Sequence, residues 1–253
     1  MLLAIAVENT RTLVGVLDRD AVVQHWLVST DSRRTADEWT VLLRGLVGSL
    51  EVDGLAVCSA VPQVLHELRD VGARYYADVP RMIVEPGIRT GLRLLVDNPR
   101  ELGADRIVNA IAAASLYGSP CVVVDFGTAT TYDVIDEQGA YVGGAIAPGI
   151  EISLEALGRS AAQLRRVELS KPRSVVAKNT VEGLQSGAVF GFAGQVDGMI
   201  GRIFDELGWK ADEVAVVATG ALAPVVISEA RSVTQHEPLL TLLGLRIAFE
   251  RNR

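Results

Sequence analysis

CVVVDFGTATTYDVID, at residues 121–136, is the stretch that predicts the fold. An apolar run predicts a buried strand that ends near Asp125, and a glycine turn and a second strand follow it. Gly127 lets the backbone approach a phosphate closely, and the hydroxyls of Thr128, Thr130 and Thr131 can donate hydrogen bonds. The carboxylate of Asp125 can hold a cation that bridges phosphate oxygens. The alternative is an ordinary hairpin turn in which the aspartate caps its own backbone.

The beginning of the chain, MLLAIAVENTRTLVGVLD at residues 1–18, follows the same strand–turn–strand plan. Residues 6–10 can be laid on residues 125–129, although any two strand–turn–strand segments would align about as well. Around both turns the pattern predicts three strands, a helix, a strand and a helix. We therefore expect an α/β protein of two tandem βββαβα lobes, ribonuclease-H-like, that face each other across a cleft as in actin and acetate kinase.

The expected elements can be stated by residue. In the first half they are strands at 2–7, 13–18 and 22–30, a helix at 35–49, a strand at 55–62 and a further helix and strand. In the second they are a helix at 104–117, three strands from 121 onward, helices at 150–165 and 180–207, a strand before 219 and a closing helix at 238–250. We expect an N-terminal lobe at 1–117 and a C-terminal lobe at 118–253.

A second chemical motif, ELGADR at residues 101–106, leads from a glycine turn into a helix. Asp105 suits a helix N-terminus, whereas the cation of Arg106 does not, because the helix dipole is positive there. An arginine held in that place can clamp a carboxylate or a phosphate. Asp105 can accept the proton of a substrate hydroxyl, as phosphoryl transfer to an alcohol requires. The alternative is a helix cap with a local salt bridge.

The long helix that follows Lys178-Asn179-Thr180 carries glycines at three- and four-residue spacing, at 183, 187, 191, 194, 198 and 201. Interior glycines each cost about 1 kcal/mol relative to alanine, so a stripe of them indicates close approach by another backbone. We favour a dimer interface, and the alternative is close packing within the chain. The turn at 218–221, ATGA, is made of small residues that can accommodate a nucleotide base.

Composition excludes several classes of function. The net charge of −7 argues against nucleic acid or an anionic membrane as the main partner. Cys58 and Cys121 lie inside apolar runs and are expected to be buried free thiols in a reducing compartment. The apolar stretch at the N-terminus is too short for a signal peptide or a membrane span, so we expect a cytoplasmic protein.

The motifs together resemble those of type III pantothenate kinases. LLAIAVENTRTLVG, VDNPRELGADRIVNA, VVVDFGTATTYDVI, GGAIAPGI and KNTVEGLQSGAVFGFAGQVDG occur in the order and spacing of that family, essentially from end to end. The resemblance implies phosphorylation of pantothenate by ATP, the first step to coenzyme A, in a homodimer that needs magnesium and K⁺ or ammonium.

The resemblance also implies roles for individual residues. Asp105 would be the general base, and Asp125 would bind the monovalent cation. Pantothenate would contact Gly103, Ala104, Arg106 and Thr180, and ATP would contact the first turn at Ala6, Asn9 and Thr10 together with Thr128.

The chain departs from the family pattern at the first turn, which in the family reads Asp-x-Gly-Asn-Thr. Ala6 stands where the family has the aspartate expected to organise magnesium, and Glu8 stands where it has the glycine. The carboxylate of Glu8 has two alternative consequences: it partly replaces that aspartate, or it repels the phosphates. A lesser departure is Val96, where the family often has a tyrosine near pantothenate. Two outcomes are open: a kinase impaired by Ala6, or a weak or inactive relative with a binding or regulatory role. Nothing in the sequence points to DNA contact by such a regulator.

Overall fold

The computed structural model describes residues 1–19, 21–160 and 167–253. Its contacts define two compact units, Met1–Ser115 with Leu239–Arg253, and Leu116–Pro238. The closing helix therefore packs with the first unit, although the sequence placed it in the stretch 118–253.

The first unit is a five-stranded sheet in the order β3–β2–β1–β4–β5, with β1 antiparallel to β2 and parallel to β4. The elements are β1 Leu2–Val7, β2 Arg11–Asp18, β3 Ala21–Ser29, α1 Ala36–Val47, β4 Gly54–Ser59, α2 Pro62–Tyr75, β5 Arg81–Ile83, the short strand β6 Arg93–Leu94, a 3₁₀ turn Pro99–Glu101 and α3 Ala104–Tyr117.

The core of this unit forms because β1 is apolar on both faces. Leu3, Ile5 and Val7 pack with α1 and α2 around Trp39, which is fully buried. Helix α1 begins where the sequence predicted it: the Thr35 hydroxyl accepts the Glu38 amide and the Glu38 carboxylate accepts the Thr35 amide, which is a capping box. Burial of a large apolar side chain of this kind stabilises the fold by about 1.5–3 kcal/mol.

The second unit repeats the topology of the first. Its strands run in the order β11–β10–β7–β8–β9, with β7 antiparallel to β8 and parallel to β10. The elements are β7 Cys121–Phe126, β8 Ala129–Ile135, β9 Ala140–Pro148, α4 Ile150–Ser160, α5 Thr180–Leu207, β10 Ala215–Thr219, α6 Ala223–Val226, β11 Gln235–His236 and α7 Leu240–Asn252, the last of which belongs to the first unit. The predicted duplication of the strand plan is thereby confirmed.

Most element bounds follow the prediction closely, including α3, β7 and α5. The end of the helix predicted at 150–165 falls on residues 161–166, outside the described residues. The two-residue strands β6 and β11 were not predicted, because so short a run carries no periodicity.

Helix α7 packs against the face of β1 opposite α1 and α2. The close approach of α7 to α3 depends on Gly244, where an added Cβ would collide with the backbone carbonyl of Val108. No helix among the described residues is long and apolar enough to span a membrane.

Candidate active site

The end of β1 is the first predicted phosphate turn. Ala6 and Cys58 are register partners on the parallel strands β1 and β4, and both are buried, with 2% and 1% of their surface exposed. Strand residues two apart lie on the same face, so Glu8 follows Ala6 on that side of the sheet. Glu8 is half-buried, whereas Asn9 and Thr10 are exposed.

The backbone of this turn is held firmly although Glu8 replaces the glycine of the family pattern. The Glu8 amide donates to the Arg11 carbonyl at 2.9 Å, and the Thr30 hydroxyl donates to the Glu8 carbonyl at 2.8 Å. The hydroxyls of Thr12 and Thr30 are also hydrogen-bonded, at 2.8 Å. The backbone φ of Glu8 is not positive, so a side chain here causes no strain.

An acidic cluster, which we define as Glu8, Cys58 and Asp105, lies at the end of β1 and β4. Burial raises the pKa of Glu8, the charge of Asp105 raises it further, and Arg11 opposes both. Burial, then Asp105 and then Glu8 raise the pKa of the Cys58 thiol well above its ordinary value. Asp105, the predicted base, therefore lies within electrostatic range of Glu8 in the first turn.

Asp105 lies in the first turn of α3, and its side chain folds back over Gly103. A Cβ at position 103 would lie 2.5 Å from Oδ1 of Asp105, so only glycine leaves this carboxylate its place. The Gly103 carbonyl accepts the Ile107 amide at 3.2 Å and so starts the helix. Asp105 and Arg106 are both half-buried.

A cavity of about 830 Å³ lies in the first unit beyond the carboxyl ends of β4 and β5. That edge of a parallel sheet is where α/β proteins bind ligands, and the volume suits a small organic molecule. Gly103 and Ala104, two of the predicted substrate contacts, line it together with Ser59, Glu85, Asn98 and Arg100. Sequence reasoning missed these last four, because none of them stands in a chemical motif and only the fold brings them together.

Two glycines pack closely against the turn after β7. Gly220, with φ of 91°, follows β10, and an added Cβ there would lie 2.5 Å from Oδ1 of Asp125. Gly149 lies against the carbonyls of Gly127 and Thr128, where a Cβ would collide with both. The Thr128 hydroxyl is buried and has no hydrogen-bond partner within the described part of the chain. A buried donor in this state costs about 1–3 kcal/mol, so it is suited to a ligand oxygen.

Beneath this turn lies a buried carboxylate that the sequence analysis did not single out. Asp133 on β8 is fully buried; the Tyr141 hydroxyl donates to its Oδ1 at 2.6 Å and the Thr131 hydroxyl to its Oδ2 at 3.2 Å. The Thr131 hydroxyl is therefore engaged by Asp133, and Tyr141 links that carboxylate to β9. A charged residue among the buried positions of a strand was the available signal.

The amino end of α5 is capped by Asn179, whose side chain accepts the Glu182 amide at 2.9 Å. Thr180, the first helical residue, is exposed. The glycine stripe of α5, which we define as Gly183, Gly187, Gly191, Gly194 and Gly201, is exposed as well, and a Cβ at any of these positions would meet no described atom within 4 Å. A Cβ at Gly198, the sixth glycine of the predicted stripe, would lie 3.4 Å from the Arg202 guanidinium. Packing against the described residues therefore does not account for the other five.

Donor atoms for cations differ between the two turns. The described residues contain no group of three or more His, Cys, Asp or Glu that could hold a metal. At the first turn the methyl group of Ala6 supplies no ligand atom for magnesium, and the carboxylate of that turn is at Glu8 instead. The second turn offers the Asp125 carboxylate beside the buried Thr128 hydroxyl, an oxygen donor set that fits a hard monovalent cation.

Comparison with known proteins gives a consistent result. The family model described as type III pantothenate kinase matches residues 2–202. A type III pantothenate kinase of Streptomyces griseus is 58% identical over 100% of this chain and 98% of its own length. A Baf family protein from Campylobacter jejuni has a TM-score of 0.61 at 17% identity, over 99% of this chain and 98% of its own. A ROK family glucokinase from Streptomyces griseus gives 0.55 at 11%, over 96% and 97%. These structural matches show the fold alone.

Proposed function

The chain belongs to the type III pantothenate kinase family, whose members phosphorylate pantothenate in coenzyme A synthesis, and on that premise we propose that Asp105 is its catalytic base. The observation that carries this proposal is the placement of Asp105. It is half-buried at the start of α3 and folded over Gly103, and it directly follows Gly103 and Ala104, which line the cavity although Asp105 itself does not.

The reaction needs one proton acceptor and a bond exchange at phosphorus. The oxygen of the pantothenate alcohol forms a bond to the γ-phosphorus of ATP while the bond from that phosphorus to the β–γ bridging oxygen breaks. The alcohol proton passes to a carboxylate oxygen of Asp105. Positioned base catalysis of this kind contributes about 10²–10⁴ in rate.

Substrate contacts are assigned as follows. Gly103 and Ala104 bring backbone against pantothenate in the cavity, since neither carries a bulky side chain. Arg106 supplies a cation for the pantothenate carboxylate, and the exposed hydroxyl of Thr180 supplies a further hydrogen bond. The cavity of about 830 Å³ leaves room for the whole substrate.

Nucleotide contacts are proposed for each phosphate turn separately. Ala6, through its backbone, and the exposed Asn9 and Thr10 would contact ATP at the first turn. Thr128 would donate its unpartnered hydroxyl at the second. Asp125 would hold K⁺ or ammonium, and the bound cation would add positive charge for phosphate oxygens. Magnesium would arrive with ATP, because the first turn offers it no carboxylate at position 6.

The absence of a carboxylate at position 6 also sets the expected level of activity. Loss of a carboxylate that organises magnesium costs a few kcal/mol of transition-state stabilisation, or a rate loss of hundreds-fold or more. The chain is therefore proposed to be a slow pantothenate kinase. The second candidate, a relative that binds ligands without turnover, is favoured by the same observation, the methyl group of Ala6.

A cytoplasmic homodimer is also part of the proposal. The glycine stripe of α5 faces open space, and a second copy of the helix is the partner that its spacing suits. The two cysteines, both buried and free, are consistent with a reducing compartment. No nucleic acid or membrane partner is proposed, given the net charge of −7.

The test removes the proton acceptor without changing its size. Asp105→Asn should lower turnover by about 10²–10⁴ while changing the affinity for pantothenate much less. The Ala6→Asp background gives the most measurable parent rate. Steady-state kinetics and isothermal titration with pantothenate supply the two quantities, and Asp78→Asn, an exposed aspartate of the same unit, is the control. Lost binding with intact saturated turnover would make Asp105 an anchor instead of a base.

A further inference from the structure

One wall of the cavity is a loop rather than a helix or a strand. The loop occupies residues 84–92, between β5 and β6, and five of its residues line the cavity: Glu85, Pro86, Gly87, Ile88 and Thr90. The Ile88 amide donates to the Glu85 carbonyl at 3.2 Å, so the loop turns back on itself at this wall. The contacts that hold the loop therefore determine the shape of the cavity.

The first end of the loop is anchored by the sheet and a helix of the same unit. The Val84 amide donates to the Val57 carbonyl of β4 at 2.8 Å and so continues the pairing of β4 with β5. The carboxylate of Glu85 forms an ion pair with Arg69 of α2. Both partners belong to regular elements, which fixes this end of the wall.

The second end of the loop is held by the end of α7. The Asn252 side chain accepts the Arg89 amide at 2.8 Å and donates to the Arg89 carbonyl at 2.9 Å, so one side-chain amide satisfies both backbone groups of a loop residue. The Arg251 guanidinium donates to the Thr90 carbonyl. At Gly91, with φ of 66°, an added Cβ would lie 2.7 Å from Nη1 of Arg251, so the guanidinium occupies space that a side chain would need.

We propose that Arg251 and Asn252, which we define as the α7 clasp, are positioning residues for the substrate and set the affinity of the cavity for pantothenate. The inference rests on the proposed function, because it takes pantothenate as the occupant of this cavity. Neither residue of the clasp lines the cavity, so the clasp acts through the loop. A wall that is ordered before binding spares the substrate the free energy of ordering it.

The clasp should affect one ligand and not the other. The loop contributes to the cavity, whereas the proposed nucleotide contacts are at the two phosphate turns, and the proposed base, Asp105, is on α3. Loss of the clasp should therefore weaken pantothenate binding and leave nucleotide binding unchanged. A general loss of folded structure would weaken both.

The test removes the contacts of the clasp one residue at a time. Asn252→Ala removes both bonds to the loop, and Arg251→Met removes the donor while retaining an apolar stem. Arg251→Lys retains a donor and is the conservative variant. Glu250→Gln is the matched control, because it gives up an ion pair within the same helix, with Arg246, instead of a contact with the loop.

Three quantities are measured for each protein. Amide hydrogen exchange without ligand reports the order of residues 84–92. Titration calorimetry gives the dissociation constants of pantothenate and of the magnesium complex of a non-hydrolysable ATP analogue. Thermal melts verify that each variant is folded.

We expect Asn252→Ala and Arg251→Met each to speed exchange of the loop amides and to weaken pantothenate binding by about tenfold, with the affinity for the nucleotide unchanged. Arg251→Lys and Glu250→Gln should resemble the parent. Unchanged exchange of the loop, or equal weakening of both ligands, would overturn the inference. A parent and variants that bind pantothenate equally well would overturn it alone, whereas a parent that binds no pantothenate would overturn the proposed function as well.

Discussion

Replacing Ala6 by aspartate should raise the kinase rate, and the size of the gain can be bounded. Ala6 is the last residue but one of β1, as Asp125 is of β7, and the two strands occupy the same place in two sheets of the same order. A carboxylate at position 6 gives magnesium a protein ligand beside the nucleotide phosphates. With about 2.7 kcal/mol of added transition-state stabilisation, turnover rises about 100-fold.

The same change should cost stability when no ligand is bound. Ala6 is only 2% exposed, so the new carboxylate is desolvated. It also lies two residues from Glu8, or about 6.6 Å at 3.3 Å per residue. Repulsion from one ionised neighbour at that distance and an effective dielectric of about 20 amounts to about 2.5 kcal/mol. Magnesium and nucleotide together should restore most of this loss.

Two measurements separate these effects. A coupled assay with pantothenate, ATP, magnesium and K⁺ gives turnover, and thermal melts with and without magnesium and a non-hydrolysable ATP analogue give stability. Ala6→Asn is the matched control, because it has the size of aspartate without its charge. The reasoning is refuted if Ala6→Asp and Ala6→Asn, both folded, turn over at the same rate and gain the same ligand-dependent stability.

Two further expectations concern the second unit. Gly191→Leu should weaken the dimer without lowering the stability of the monomer, since a Cβ there meets no described atom within 4 Å. Gly45→Leu on the exposed side of α1 is the control, and light scattering that shows a monomeric parent would reject the dimer. Thr128→Val should weaken ATP binding, yet stabilise the unliganded protein by about 1 kcal/mol, because it removes a buried hydroxyl without a partner among the described residues. Thr128→Ser, which retains the hydroxyl, should do neither, and an unliganded Thr128→Val protein that melts lower than the parent would contradict this account.

The sequence predicted the parts of the fold that depend on local pattern. The capping box of Thr35 and Glu38, the apolar strand β7 and the repeated turn were readable because each is set by residues close together in the chain. The elements against which α7 packs could not be predicted. Its apolar periodicity shows that one face of the helix is buried, but does not show which part of the chain covers that face. Gly244 and its contact with Val108 decide that question, and both need the fold.

The candidate site also has residues that could be predicted from the sequence and residues that could not. Asp105 and Asp125 could be proposed because each stands in a motif of neighbouring residues. The acidic cluster of Glu8, Cys58 and Asp105 could not, because Glu8 follows β1, Cys58 lies on β4 and Asp105 lies on α3, and only the fold brings the three together. The lining of the cavity was likewise hidden, since its loop residues carry no chemical signature of their own.

The two turns show how the chain has altered one half of a duplicated plan. At the second turn the carboxylate of Asp125 precedes the glycine, and at the first turn the carboxylate of Glu8 stands where the glycine would be. Because strand side chains alternate, positions 6 and 8 share a face, so the acid has moved along the site by about 6.6 Å without leaving it. An aspartate at position 6 would then meet Glu8 as a charged neighbour. The effects of Ala6→Asp and Glu8→Gln should therefore be non-additive, and the double variant should exceed the product of the single gains in turnover, because Glu8→Gln removes the repulsion that Ala6→Asp introduces.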